Sequence, residues 1–398
     1  MSDVLQIGVS RPALPLADLP TPEEVFGVAR FDAWTVVKHV LGPSMIALGA
    51  AIGSGEWLLG PLGFGRFGFM GLGFVVTVSA VLQTFYNVEN ARYTMATGEV
   101  PIVGFARMPP GMKFWVPLTL LLIYLAWLWG GWAAAAGQSI FAMFAGRTFD
   151  RAVPGELLSV RIIAIGLLFL SLGVYLFGRK ISRTMEVVES FAVFFILAVL
   201  ITLAIVFAPA ALWGTMLTSI VTPAALPHGI DATTLGAIVG FTGFASGMNF
   251  MGKQVPWLFP YILILGALIL WKTQTTLLEV LVRNTTDTAI AVSPRLRAWI
   301  GDDPRRFYYL VAVSMVIVIS ILIFQALPTQ LLQYSANMAN LAAIIYPIVL
   351  IYLNRRLPRP ARAPLWSIVV LIANVLFFGF FFVNFLAVQI TGAPLVTF

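Results

Sequence analysis

The sequence predicts an all-α, polytopic membrane protein built as an inverted repeat of helices, with discontinuous first and sixth spans. Three observations predict it. Hydrophobic residues make up 60% of the chain and charged residues 10%, where a soluble domain carries about 25% charged. Apolar runs near the roughly 20 residues that cross a bilayer recur along the chain. Two of those runs, at matching places in the two halves, are interrupted by glycine clusters.

Composition also bounds the chemistry. The chain has no cysteine, which excludes disulfides, thiolate metal sites and cysteine nucleophiles. The net charge of +7 does not call for nucleic acid, because basic residues gather in loops between membrane helices as topology signals. His39 and His228 are the two histidines, and neither stands in a metal spacing such as HExxH; no Gly-rich loop precedes Lys-Ser or Lys-Thr. Neither an enzyme nor a resident cofactor is expected.

Residues 1–36 are polar, Pro-containing and mildly acidic without an early apolar core, so they read as a cytoplasmic tail rather than a cleaved leader. Spans follow at Val37 to Phe67, Gly71 to Thr97, Phe114 to Ala145, Val160 to Phe177 and Val187 to Leu212. Together they form a first repeat, 37–212. An extracellular loop is expected over 213–232. The sixth span runs from Thr233 to Phe250, and a segment from Pro256 to Thr286 is apolar at first and amphipathic afterwards. Tyr308 to Leu327, Leu331 to Leu353 and Leu365 to Gln389 complete about ten apparent spans. The second repeat is 233–354; 355–398 holds a basic loop and the last span.

The first span breaks at Gly53-Ser54-Gly55-Glu56, and the sixth holds Gly240-Phe241-Thr242-Gly243. A lone glycine cluster would mark close helix packing. Two at matching register, one with a carboxylate at membrane depth, mark a transporter whose site lies where the broken helices meet.

Lys and Arg orient the chain with its amino terminus inside, in the cell membrane. The loops after the second span (Arg92, Arg107, Lys113) and the fourth (Arg179, Lys180, Arg183) then lie inside. A conflict begins after the sixth span. The cluster Arg283, Arg295, Arg297, Arg305 and Arg306 and the later Arg355, Arg356, Arg359 and Arg362 both belong inside. That arrangement requires one crossing more than the chain offers near Phe250 to Pro256.

Glu56 is the leading candidate ligand, with the local backbone near Ile52, Gly53 and Gly240 and with Gln274 and Asn337 supplying neutral oxygens. Glu89 and Arg92, at i,i+3, and Glu279 and Arg283, at i,i+4, are placed to pair on one helix face and are candidates for gating or a proton path. Glu186 and Glu189 open the fifth span, where acids complement the helix dipole; a cytoplasmic gate is the sharper reading. Lys272 to Thr276 form a polar stripe, as a vestibule wall does.

From Gly42 to Phe69 the chain resembles the Nramp family of divalent-metal transporters. That family opens its first helix with Gly-Pro, reaches an Asp-Pro-Gly-Asn break nine residues later, and runs on to Phe-Gly. Here Gly42-Pro43 is followed by Ser44 to Ile52, then Gly53-Ser54-Gly55-Glu56, then Phe67-Gly68; Gln83 and Ala96-Thr97-Gly98 are also family-like. The resemblance implies a LeuT-type fold and alternating access. It departs where the metal would sit. Gly53 stands at the family's metal-binding Asp and Glu56 at its Asn, while Gly240-Phe241-Thr242 stand at its Met-Pro-His. Without the thioether, selection of softer transition metals has no basis, and a hard cation suits carboxylate and carbonyl ligands better. The missing crossing falls at the family's seventh helix, because the segment after Pro256 resembles its eighth.

The expected function is therefore a secondary transporter of a metal cation, divalent by family, with protons as the candidate coupling ion. Its partners are that cation and the lipid bilayer, with no nucleic acid. Two alternatives stand beside it: a carrier of an amino acid or other small organic solute, and a membrane scaffold or sensor that does not transport.

Overall fold

A computed structural model describes residues 53–98, 101–177, 191, 194–202, 204–206, 208–240, 259–301 and 303–398. Among them the chain is helical. A π-helical turn, Gly55–Leu59, leads into α1, Gly60–Phe67. Then come α2 (Leu72–Thr97), α3 (Pro101–Arg107), α4 (Met112–Trp127), α5 (Gly131–Ala145) and α6 (Glu156–Phe177). Next are α7 (Phe194–Val206) and α8 (Ala210–Val221). They are followed by α9 (Ala232–Gly240), α10 (Phe259–Val292) and α11 (Pro294–Ile300). The chain closes with α12 (Arg305–Leu322), α13 (Pro328–Arg356) and α14 (Leu365–Thr391).

Among the described residues seven segments are long and apolar enough to cross a membrane, with α4 and α5 counted as one, or eight if the bent pair α7 and α8 is one span. The described chain is thus all-helical, with the character of a multi-pass membrane protein. Ile52, Glu186, Glu189 and residues 241–258, where the missing crossing was inferred, lie outside the described residues.

The fifth span was read as running to Leu212, but helix α7 stops before Pro209. Proline lacks the amide a helix interior needs and restrains the residue before it, so Pro209 instead caps α8, and the pair is bent by 116°. Part of the expected 213–232 loop is therefore helical. The third span is likewise interrupted, at Gly130. There Gly131 lies so close to α13 that a Cβ on it would come within 2.8 Å of the Leu332 amide nitrogen.

Side-chain pairings fix the helix directions. Trp271 Nε1 donates to the Leu167 carbonyl at 3.1 Å and Ser171 Oγ meets Thr275 Oγ1 at 2.7 Å, so α6 and α10 run parallel. Arg161 reaches the Phe324 carbonyl (3.1 Å) and Tyr309 the Tyr175 carbonyl (3.4 Å), so α12 runs against α6. Helix α13 runs against α4 and α5, because Leu332 meets Gly131 while Tyr346 donates to the Thr119 carbonyl at 3.5 Å. Finally, Asn337 donates to the Thr233 carbonyl (3.2 Å) and Asn340 to the Gly236 carbonyl (3.4 Å), which makes α9 parallel to α13. Tyr124 Oη meets Thr285 Oγ1 at 2.6 Å and the Ala133 amide donates to Gln274 Oε1 at 3.2 Å, so α10 also runs against α4 and α5, and α9 and α10 point the same way.

One face then collects the carboxyl ends of α2, α6, α10 and α13. Arg107, Lys113, Arg295, Arg297, Arg305, Arg306, Arg355, Arg356, Arg359 and Arg362 follow or precede helices at that face. The opposite face holds Arg147 and Glu156, which pair, together with Arg66, Arg151, Arg161 and Asp231, and is the less basic of the two. This asymmetry is that of a protein oriented by its basic loops. Among the candidate spans of the described residues α10 has the most enclosed apolar stretch, 67% buried against 39% or less in the others. Its 34 residues extend about 50 Å at 1.5 Å per residue, well beyond a hydrocarbon core of about 30 Å.

Candidate functional site

The described part of the first span, from Ser54 to Phe67, is helical and shows a local change of winding. Ser54 and Gly55 enter a π-helical turn over Gly55–Leu59 before ordinary α geometry resumes at Gly60. A π turn is wider than an α turn and concentrates at functional sites, since it re-aims the groups around it. Gly53 permits the close approach to α10: a Cβ there would come within 3.0 Å of Thr273 Cγ2. Ser54 is 2% exposed and its hydroxyl has no hydrogen-bond partner among the described residues. Glu56 lies on the π turn, described by its backbone alone. The turn packs against both α9 and α10.

Helix α9 has a defined start. Asp231 caps it, accepting from the Thr234 amide (2.8 Å) and hydroxyl (2.6 Å). Near its last described residues two side chains of α2 reach one of its carbonyls: Ser79 Oγ donates to the Val239 carbonyl at 2.7 Å and Gln83 Nε2 reaches the same oxygen at 3.4 Å. Gly240, the last described residue here, is packed against Asn340 and the Ala336 carbonyl.

Gln274 and Asn337 present opposite chemistry. Both are fully buried. The Ala133 amide donates to Gln274 Oε1 at 3.2 Å, which leaves Gln274 Nε2 as the unpaired atom among the described residues. Asn337 Nδ2 donates to both the Thr233 and Gln333 carbonyls, and its Oδ1 is unpaired. Backbone partners fix which way each amide is turned. Asn337 thus retains the free oxygen expected of it. Gln274 offers a nitrogen, a hydrogen-bond donor, where an oxygen ligand was expected.

The rest of the α10 stripe faces inward. Lys272, Thr273, Thr275 and Thr276 are all buried. Thr273 and Thr276 return their hydroxyls to the Ile269 and Lys272 carbonyls, as threonines in membrane helices do. Glu279 and Arg283 pair as their i,i+4 spacing predicts, Arg283 Nε to Glu279 Oε1 at 2.7 Å.

Glu89 belongs to a second polar cluster. It is fully buried, and Arg92 Nε sits 3.0 Å from one carboxylate oxygen and 3.1 Å from the other. Two partners absent from the sequence reading complete it. Asn354 Nδ2 donates to Oε2 at 2.7 Å and to the Glu89 carbonyl at 3.1 Å, and Ser367 Oγ donates to Oε1 at 2.6 Å. The carboxylate thereby ties α2 to α13 and α14 near the basic face. Asn354 and Ser367 lie 265 and 278 residues away along the chain, and no local pattern marks them.

Among the described residues no three His, Cys, Asp or Glu side chains gather as a metal site would require. Fold and site together describe a helical chain with the character of a multi-pass membrane protein, in which a π-helical turn packs against both α9 and α10. Compared with known proteins, the chain matches no family model and no curated protein.

Proposed function

We propose that the chain is a secondary transporter working by alternating access, with a LeuT-type inverted repeat and its solute site at the interruption of the first span. The observation that carries the reading is the contact of the π turn bearing Glu56 with both α9 and α10. Broken helices that meet at a buried point supply main-chain groups to a cargo, the device by which transporters of this architecture bind. The parallel course of α9 and α10 supports a second repeat lacking one crossing, as a shortened relative of the Nramp family would have. In this reading Glu56 and the carbonyls about Gly53 and Gly240 hold a hard metal cation, Asn337 Oδ1 adds a neutral oxygen, and the Glu89 and Glu279 pairs act as gates.

A second reading, a carrier of a small organic solute such as an amino acid, is favoured by Gln274. An N–H directed to a ligand suits a carboxylate oxygen, whereas it repels a metal ion. Uptake into proteoliposomes separates the two. Influx of Mg²⁺ or Mn²⁺ that is lost in Glu56→Gln supports the cation. Influx of a labelled amino acid, insensitive to divalent metals and lost in Gln274→Leu, supports the solute. Absence of flux for both, with no thermal shift from either, refutes transport and leaves a scaffold.

A further inference from the structure

Helix α11 stands apart from the bundle. It joins α10 to α12, packs against α10, and has no buried residue. It is nevertheless a well-formed element: Ser293 Oγ accepts from the Leu296 amide at 3.2 Å, and Pro294 occupies the first turn. Leu296, Trp299 and Ile300 stand at i, i+3 and i+4, which puts them on one side of the helix. At 100° per residue Ala298 falls on the other side. Trp299 is 66% exposed. Arg295, Arg297, Arg305 and Arg306 are also exposed, against Asp302 and Asp303 in the same stretch. Asp303 Oδ1 accepts from the Arg305 amide at 3.0 Å and lies 3.9 Å from its guanidinium Nε.

A tryptophan left uncovered beside arginines has a specific explanation in a membrane protein. Helices with an apolar stripe, an aromatic ring and basic flanks lie in the interface, ring toward the acyl chains and guanidinium groups at the phosphates. The position of α11 fits, because it sits where α10 leaves the bundle, on the face that also carries Arg355, Arg356, Arg359 and Arg362. The charge of that face is complementary to an anionic leaflet, and arginine matches phosphate oxygens in a bidentate fork. We propose that α11 is an interfacial anchor that binds anionic phospholipid headgroups through Arg295, Arg297, Arg305 and Arg306, with Leu296, Trp299 and Ile300 inserted beneath them.

The absence of cysteine makes the test direct. Spin labels on Trp299→Cys and Ala298→Cys in the full chain are read in nanodiscs of phosphatidylcholine with phosphatidylglycerol. Oxygen collisions dominating at 299 and a water-soluble nickel chelate dominating at 298 are expected; water-like behaviour at both overturns the anchor. Native mass spectrometry then compares retained phosphatidylglycerol with phosphatidylcholine. Each Arg→Gln change at the four positions is expected to lower the preference about fivefold. An unchanged preference in the fourfold variant overturns the headgroup assignment. So does a wild-type chain that binds an acidic peptide while showing no preference between the lipids.

Discussion

Replacing Glu89 with alanine removes the acceptor of three converging donors from a fully buried position. Arg92 is 26% exposed and turns to water, so its share is small, of the order of a surface pair at about 0–1 kcal/mol. Ser367 loses its carboxylate partner in a buried setting, and Asn354 keeps only its bond to the Glu89 carbonyl. A hydrogen bond to a charged group contributes about 1.5–3 kcal/mol, and breaking a buried charged pair costs about 3–5 kcal/mol. Glu89→Ala is therefore expected to cost about 3–5 kcal/mol, more than Asn354→Ala or Ser367→Ala, with Arg92→Gln the mildest. The decisive assay is a double-mutant cycle between Glu89→Ala and Asn354→Ala, read by tryptophan fluorescence during denaturant unfolding in detergent. A coupling energy of about 1.5–3 kcal/mol is expected. Additivity within about 0.5 kcal/mol would refute the tie between α2 and α13.

Other consequences are as direct. Gly131→Val drives a side chain into the Leu332 backbone; overpacking of this kind costs about 1–3 kcal/mol and should lower the thermal midpoint, whereas Gly166→Val, with open space about it, should not. Asp231→Ala removes the α9 cap at a cost of about 0.5–2 kcal/mol, and Asp231→Asn should restore most of it in the same melt. Because α9 and α10 run the same way, a membrane-impermeant thiol reagent should reach Thr222→Cys and Asp303→Cys from opposite sides of the bilayer; labelling of both from one side would contradict the helix directions.

The sequence was informative wherever the physics is local or compositional. Membrane character follows from apolar length. The pairs Glu89–Arg92 and Glu279–Arg283 were legible because neighbours three or four apart on a helix meet whatever surrounds them. Gly53 to Glu56 stood out in the sequence because glycine is a poor helix former, and the π turn begins in that stretch. The interruptions at Gly130 and Pro209 have equally local signals, yet the apolar run masked them.

What only the tertiary structure decided depends on contacts between helices. In a membrane both the lipid face and the packed face are apolar, so hydrophobic periodicity tells little about which side of a helix meets which neighbour. Asn354 and Ser367 could not be assigned to Glu89 from their positions in the chain. The free atom of Gln274 is its nitrogen only because the Ala133 amide has taken the oxygen. The parallel course of α9 and α10 and the exposure of Trp299 on α11 emerged only from the packing of the helices. Sequence by itself determined the apolar, multi-pass character of the chain; packing at distances of 100 residues and more along the chain decided which polar atoms are paired among the described residues and which, such as Gln274 Nε2 and Asn337 Oδ1, are not.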